Sequence, residues 1–167
     1  MDSLAADLRQ MRRTPLHDEH VEAIRAIATE EVLPAGQAVT RTGEPVDRFI
    51  CLLEGRIDVL HPVTGKPYLE SGLGPTQFVG DISFLSGGAA TMTLCASEPC
   101  RALVVPRAQM LTLMSQVPEM SDIIITVFAA RRRRQLEDRD SSLLIVGAEQ
   151  SPDVQRVAAF LSRNRIP

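Results

Sequence analysis

The chain has 167 residues, of which 44% are hydrophobic and 23% are charged, as is typical of a folded domain and not of a disordered chain. Lys and Arg number 18 and Asp and Glu 21, and the resulting net charge of −3 argues against a general nucleic-acid binder. No apolar run approaches the roughly 18 residues that cross a bilayer, and the N-terminus lacks the apolar centre of a signal peptide. We therefore predict a cytoplasmic protein with neither a membrane nor a nucleic-acid partner.

Apolar residues near the N-terminus recur at helical spacing until Thr14-Pro15 interrupts the pattern, which predicts a helical segment over residues 1–16. A second helix follows. His17-Asp18-Glu19-His20 at its start faintly resembles metal-ligand spacing, but two histidines at i, i+3 without a third ligand are typical of solvated residues at a helix start, and we predict no metal site.

Residues 32–106 combine short β-rich runs with regularly spaced glycines and prolines. Apolar runs at 49–53, 57–60 and 102–105 alternate with turn signals at a spacing typical of a sandwich or barrel. No helical pattern separates these runs, so parallel βαβ units are not expected. The segment predicts an antiparallel β structure.

The three cysteines are an odd count without a C-x-x-C pair. Cys51 and Cys95 lie in apolar runs and are predicted to be small buried side chains. Cys95 and Cys100 flank a turn, so a disulfide is geometrically conceivable, but a cytoplasmic setting disfavours it.

Two helices are predicted from residue 107 to residue 140, the longer beginning at Pro118. Its apolar face, Ile123 to Phe128, is expected to pack on the β structure or on a second copy in a homodimer. Four arginines, residues 131–134, follow this face. We interpret them as the solvated end of a helix, where cations complement the C-terminal dipole.

Residues 141–167 predict the start of a second α/β domain. Leu143 to Val146 is a wholly apolar run, typical of a buried parallel strand, and Gly147 ends it. Ser151-Pro152 is a good helix start. One strand and one helix cannot cover each other's apolar surface, so we expect the chain to be cut from a longer protein near Pro167.

Four segments in the middle of the chain resemble, in order and spacing, those of cyclic nucleotide-binding domains. They are 33–48 (first hairpin), 49–59 (strand, glycine turn, strand), 74–81 (entry to the phosphate-binding cassette) and 104–107 (closing strand). The resemblance extends over residues 17–140 and implies a mainly β protein, an antiparallel jelly-roll β-roll with flanking helices, followed here by the terminal β–α fragment.

The resemblance places ligand binding in a cassette, residues 80–92, and implies cyclic AMP or cyclic GMP as ligand. Its glycine matches Gly80, and Asp81 stands where the family has a glutamate for the ribose 2′-hydroxyl. A short helix offers backbone N–H groups to the phosphate. The residues so assigned are Gly80, Asp81, Ile82, Ser83, Ala90 and Thr91.

The cassette departs from the family at Ala90, which stands where an arginine neutralises the phosphate. No Lys or Arg occurs from Pro67 through Cys100. A hydrogen bond to a charged group contributes about 1.5–3 kcal/mol, so its loss predicts binding weaker by roughly 10–100-fold. A cation from another part of the fold would compensate.

The end of the chain is similar to bacterial flavoproteins of the thioredoxin reductase type that carry such a domain at the N-terminus. The similarity rests on Leu144 to Gly147 and Phe160 to Asn164. This stretch has neither G-x-G-x-x-G nor C-x-x-C, so we predict no cofactor within it, and flavin and disulfide chemistry would lie beyond residue 167.

Two functions remain open at this point. The first is a regulatory sensor that binds a cyclic nucleotide, weakly or with altered specificity, and controls a linked C-terminal module. The second is a degenerate domain that binds no nucleotide and serves interaction or dimerisation. A transcription factor would need a helix-turn-helix after the long helix, where the pattern instead gives strand then helix. No catalytic set is present, so no enzyme activity is predicted for this stretch.

Overall fold

The computed structural model describes residues 11–61, 64–68, 72–137, 145–148 and 150–163, with backbone alone at 136 and 137. Within these residues the strands are β1 Thr29–Leu33, β2 Ala38–Thr40, β3 Arg48–Glu54, β4 Ile57–Leu60, β5 Phe78–Val79, β6 Thr93–Ala96 and β7 Cys100–Pro106. The helices are α1 Asp18–Arg25, α2 Ser83–Ser86, α3 Arg107–Gln116, α4 Pro118–Glu137 and α5 Pro152–Arg163.

Strands β3 and β7 are apolar on both faces because each face meets a different core. They pair antiparallel in a four-stranded sheet of order β1-β7-β3-β5. Side chains alternate across a strand. Phe49 and Cys51 thus face one core and Ile50 and Leu52 the other, which explains a run without polar residues.

The second sheet, β2-β6-β4, closes the inner core between the two sheets. Every strand pair among the described residues is antiparallel. The predicted fold class, an antiparallel β-roll with flanking helices, is confirmed.

Helices α1, α3 and α4 cover the outer face of the four-stranded sheet. Ile124, Val127 and Phe128 of α4 are fully buried against it, with the rings of Phe78 and Phe84 beside Phe128. The face that we considered for a homodimer therefore packs on the chain's own sheet, because that sheet is apolar on its outer side as well. No helix in the described part of the chain is long and apolar enough to span a membrane.

Several local expectations meet a different outcome. His20 is buried, not solvated, because α1 packs on the outer face of the four-stranded sheet with this side chain turned toward it. Cys51 is buried as predicted, but Cys95 is only partly buried; all three cysteines are free. Ile145 and Val146 are not in a strand, and residues 1–10 and 141–144 lie outside the described residues. Helix α5 begins at Pro152 as predicted, and none of its side chains is fully buried.

Candidate functional site: a cavity between the cassette and helix α4

A cavity of about 570 Å³ lies between the β-roll and α4. Its wall combines residues of five strands, of which Val59, Val79 and Leu94 are apolar, with the start of the cassette and the last turns of α4. Among the described residues that line it, five are arginines and one, Asp81, is acidic. A pocket of this size, mostly apolar with a few convergent polar groups, is typical of a small-molecule site. The charges predict an anionic ligand. The lining arginines are Arg12, Arg13, Arg48, Arg131 and Arg134.

A chain of hydrogen bonds joins the cassette to α4 through Asp81. The Ser83 backbone N–H donates to Asp81 Oδ1 at 2.7 Å, and the Thr91 hydroxyl donates to Oδ2 at 2.5 Å. The Gln135 Nε2 amide in turn donates to Thr91 Oγ1 at 2.8 Å. Both carboxylate oxygens of Asp81 thus have a donor, and a residue of α4 is held by the cassette.

Arg131 connects α4 to the roll by its guanidinium. Nη1 donates to the Gly80 carbonyl oxygen at 2.7 Å, and Nε donates to that of Arg12 at 3.1 Å. The guanidinium carbon lies 5.3 Å from the centroid of the Phe78 ring, within cation–π range. These three contacts fix the group in one orientation. The interpretation of this arginine as part of a solvated helix end is wrong, because α4 continues past its apolar face with the same side turned to the roll.

Burial lowers the pKa of Arg131 to about 10, while the Asp81 carboxylate opposes that shift and Arg13 adds to it. The group therefore remains a cation at neutral pH. Its Nη2 atom is buried and has no hydrogen-bond partner. One strong donor of a residue that lines the cavity thus stays unused.

Gln135 lies one helical turn after Arg131 and also lines the cavity. Its Nε2 is occupied by Thr91, but its Oε1 is buried and without a partner. An unused acceptor therefore accompanies the unused donor on the same side of α4.

Gly80 allows α4 to lie close to the cassette. Its φ is +130°, in the region that favours glycine, and a Cβ there would lie 3.0 Å from Phe128 Cζ. Any larger residue would press against the buried ring. The glycine is therefore needed for both the turn and the contact.

Arg107, the first residue of α3, holds the cassette helix α2 at its other end. Its Nε and Nη2 donate to the carbonyl oxygens of Phe84 and Leu85, at 2.5 and 2.6 Å. Its own backbone N–H donates to the Asp47 carbonyl oxygen at 2.7 Å. The carbonyl groups in the last turn of a helix lack hydrogen-bond donors within the helix, and here the Arg107 guanidinium supplies the donors.

The sequence profile of the family described as "Cyclic nucleotide-binding domain" matches residues 30–117, more than half of the chain. This chain belongs to the cyclic nucleotide-binding domain family.

Two curated relatives have this domain in larger proteins. A cyclic nucleotide-gated potassium channel of Mesorhizobium japonicum is 32% identical over 112 residues, which is 67% of this chain and 30% of the channel. A CRP-like cAMP-activated global transcriptional regulator of Mycobacterium tuberculosis is 28% identical over 102 residues, 60% of this chain and 46% of the regulator. The chain thus matches less than half the length of these relatives.

Among solved structures, the chain is similar to the catabolite activator protein of Thermus thermophilus. The TM-score is 0.61 at 20% identity, over 78% of this chain and 62% of that one. At this identity the likeness establishes the β-roll fold alone.

Within this cyclic nucleotide-binding domain, Ala90 occupies a tightly held part of the cassette. Its N–H donates to the Glu44 carbonyl and its carbonyl accepts from the Gly43 N–H, both at 2.8 Å. Its side chain is 9% exposed and lines the cavity. The position at which the family resemblance places an arginine therefore faces the cavity with a methyl group.

The structure brings together some of the residues predicted from the cassette and separates others. Gly80, Asp81 and Ala90 line the cavity, and Thr91 is bonded to Asp81. The Ser83 N–H is bonded to the same carboxylate, and Ile82, 37% exposed, is not part of the wall. Their roles in ligand binding remain predictions.

The residues of α4 that line the cavity were missed at the sequence level. Their signal is the spacing: Ile124, Phe128, Arg131 and Gln135 continue one helical stripe. A stripe that begins apolar and ends with Arg and Gln indicates a helix that runs from a core onto a polar cavity.

Proposed function

We propose that this domain is a sensor that binds a cyclic nucleotide in the cavity beneath α4 and signals its occupancy through that helix. The observation that carries the proposal is the hydrogen-bond chain from Asp81 through Thr91 to Gln135. It links the cassette, where the family resemblance places the ligand, to the helix that leads to the rest of the chain. A ligand that shifts the cassette would therefore change the hydrogen bonds that hold the end of α4.

Cyclic AMP and cyclic GMP are the proposed ligands. The cavity is rich in arginine, which suits an anionic phosphate, and its apolar strand residues suit a planar base. The mycobacterial relative is named as cAMP-activated, which favours cyclic AMP as the first ligand to test.

The proposed output is a linked C-terminal module that begins within residues 141–167, in a cytoplasmic protein. The resemblance of this stretch favours a flavin-dependent disulfide reductase of the thioredoxin reductase type. Helix α5 supports a further packing partner, since Val157 and Phe160 are about half exposed, at 46% and 55%. The two relatives carry different outputs, a channel and a transcriptional regulator, so the type of module is a proposal of its own.

A second candidate function is an interaction module that binds no nucleotide, including one that forms a homodimer. The methyl group of Ala90 at the family's arginine position favours it. On α4 the homodimer would need exposed residues such as Ile125, because the inward face of that helix is already covered.

The deciding experiment is calorimetric and thermal-shift titration of the 167-residue chain with cyclic AMP and cyclic GMP up to millimolar concentration. A ligand at about 100 times its Kd stabilises by about 2.7 kcal/mol, which raises Tm by roughly 5–10 °C for a domain of this size. We expect saturable binding of one nucleotide. Absence of binding for both would overturn the sensor and leave the interaction module.

A pair of variants shows whether the bound ligand occupies this cavity. Asp81→Asn removes the carboxylate of the hydrogen-bond chain and should weaken binding about tenfold. Asp122→Asn, an equal charge change at an exposed position of α4, should leave the Kd unchanged. Equal Kd values for the two variants would place the ligand elsewhere.

A further inference from the structure

Unpaired buried polar atoms are rare in folded proteins and call for an explanation. Among the described residues, three buried side-chain nitrogen or oxygen atoms have no hydrogen-bond partner: His20 Nδ1, Arg131 Nη2 and Gln135 Oε1. Two of the three belong to residues that line the cavity, one helical turn apart on α4. One is a charged donor and the other a neutral acceptor.

The fold holds the unused donor in place by other contacts. Arg131 uses Nη1 and Nε on the carbonyls of Gly80 and Arg12, and its guanidinium lies against the Phe78 ring. The planar guanidinium is therefore fixed, and Nη2 is available without the loss of any existing bond. A cation so held needs little ordering when an anion arrives, which favours binding.

The charge balance of the cassette explains why a donor on α4 is needed. Ala90 offers no cation where the family resemblance places an arginine, and both Asp81 oxygens already have donors. A cyclic phosphate in the cavity requires a positive partner, because an unpaired buried charge is costly. Arg131 lies at the entry of the cassette, bonded to Gly80.

We propose that Arg131 binds the phosphate of the cyclic nucleotide through Nη2, in place of the cassette arginine. Gln135 Oε1 accepts a hydrogen bond from a hydroxyl or amino group of the same ligand. This inference rests on the proposed function and identifies which residues recognise the ligand. Recognition is thus transferred from the cassette to the helix that carries the signal.

A regulatory consequence follows from this assignment. A ligand bound by Arg131 and Gln135 on one side and by the cassette on the other ties α4 to the β-roll. Ligand binding and the position of α4 are then coupled by the same two side chains. The ligand binds more tightly when α4 is docked on the β-roll than when it is undocked, as a sensor requires.

The test compares each cyclic nucleotide with its nucleoside, which lacks the phosphate. Arg131→Met should weaken cyclic nucleotide binding by roughly 10–100-fold and nucleoside binding by less than about threefold. Arg133→Met, the same change at an exposed position of the same helix, should alter neither. A purely structural role of Arg131 would weaken both ligands equally and would overturn the proposal.

Variants outside α4 keep the test decisive where Arg131→Met does not fold. Ala90→Arg in the otherwise unchanged chain should tighten binding by less than about tenfold, because the phosphate already has a cation. A gain above about 100-fold would show that the phosphate lacks one and would overturn the assignment. In the Arg131→Met background, Ala90→Arg should recover at least about tenfold.

The outcomes separate the inference from the proposed function. If the unchanged chain binds a cyclic nucleotide and Arg131→Met binds it equally well, the role of Arg131 fails while the sensor stands. If the unchanged chain binds neither nucleotide, the sensor itself fails. Gln135→Leu adds a third readout, since it should weaken nucleoside and nucleotide alike by about tenfold.

Discussion

The two walls of the cavity differ in how completely the protein satisfies its own polar groups. On the cassette wall, both oxygens of Asp81 have donors, and the backbone of Ala90 is paired at N–H and carbonyl. On the α4 wall, Arg131 and Gln135 each keep one buried atom without a partner. The polar groups of the cassette are therefore satisfied within the protein, whereas two buried polar atoms of α4 are not.

This difference bears on where a sensor detects its ligand. A cassette that holds the whole ligand must pass the event on through secondary contacts. In the proposed arrangement the atoms that recognise the ligand, Arg131 Nη2 and Gln135 Oε1, lie on α4 itself, near the Phe128 side chain that packs it on the sheet. The following variants test how far docking and the two walls depend on each other.

Removal of the Phe128 ring, which packs α4 on the sheet, should have the largest effect on stability. Phe128→Ala deletes a side chain that is fully buried between the rings of Phe78 and Phe84, and we expect a loss of about 3–5 kcal/mol in the free energy of unfolding. Urea denaturation measures it. Ile125→Ala on the exposed side of the helix should cost less than about 1 kcal/mol. Similar losses for both would mean that α4 is not anchored by this face.

A methyl group at Gly80 should push the cassette and α4 apart, although the substitution removes no side chain. Gly80→Ala combines a disfavoured φ with a contact of 3.0 Å to Phe128, and we expect a loss of about 3 kcal/mol. Gly36→Ala is the matched control, because its φ is +83° and nothing lies within 4 Å of the added Cβ. The difference between the two variants isolates the contact with α4. Equal losses in guanidinium denaturation would argue against that contact.

The cassette wall alone should respond to a change at Arg107. Arg107→Met removes the donors to the Phe84 and Leu85 carbonyls, at a cost of about 2 kcal/mol. Hydrogen exchange should quicken at cassette amides and stay slow in α4. Arg41→Met, which loses an exposed ion pair with Glu44, should cost under about 1 kcal/mol. Faster exchange throughout α4 would show that the two walls form one unit.

The smallest effect is expected at the bridge between the walls. Thr91→Val removes the hydroxyl that joins Asp81 to Gln135 and should cost about 1 kcal/mol, together with faster exchange at the end of α4. Thr93→Val loses two hydrogen bonds at the exposed edge, one from the Thr42 N–H and one with the Thr42 hydroxyl, and should change the free energy of unfolding by less than about 0.5 kcal/mol. Unchanged exchange in Thr91→Val would mean that the bridge does not support α4.

The β-roll was predictable because its signals are local. Glycines at turns and apolar runs in strands decide an antiparallel arrangement with little help from distant residues. The two-sided apolar character of β3 also has a direct meaning, since Phe49 and Ile50 point to different cores. Spacing placed Gly80, Asp81 and Ala90 in one segment, and all three line the cavity.

The contribution of α4 was not predictable in the same way, because it depends on how the helix is rotated against a distant sheet. Four consecutive arginines are spread around the helix, and only tertiary packing decides that Arg131 and Arg134 reach the cavity while Arg133 stays exposed. Phe128 fixes that rotation by its contact at Gly80, and Arg131, three residues later, follows onto the same side. The burial of His20 escaped prediction for the same reason.

The contacts of Arg107 also set an order of events during synthesis. This residue caps α2 from 22 and 23 positions further along the chain, and its backbone is bonded to Asp47 in the first hairpin. As the chain leaves the ribosome, the cassette therefore emerges well before the side chain that fixes it. We expect residues 83–86 to gain protection only after β7 has docked, late among the elements of the β-roll, which pulse-labelled hydrogen exchange during refolding would measure.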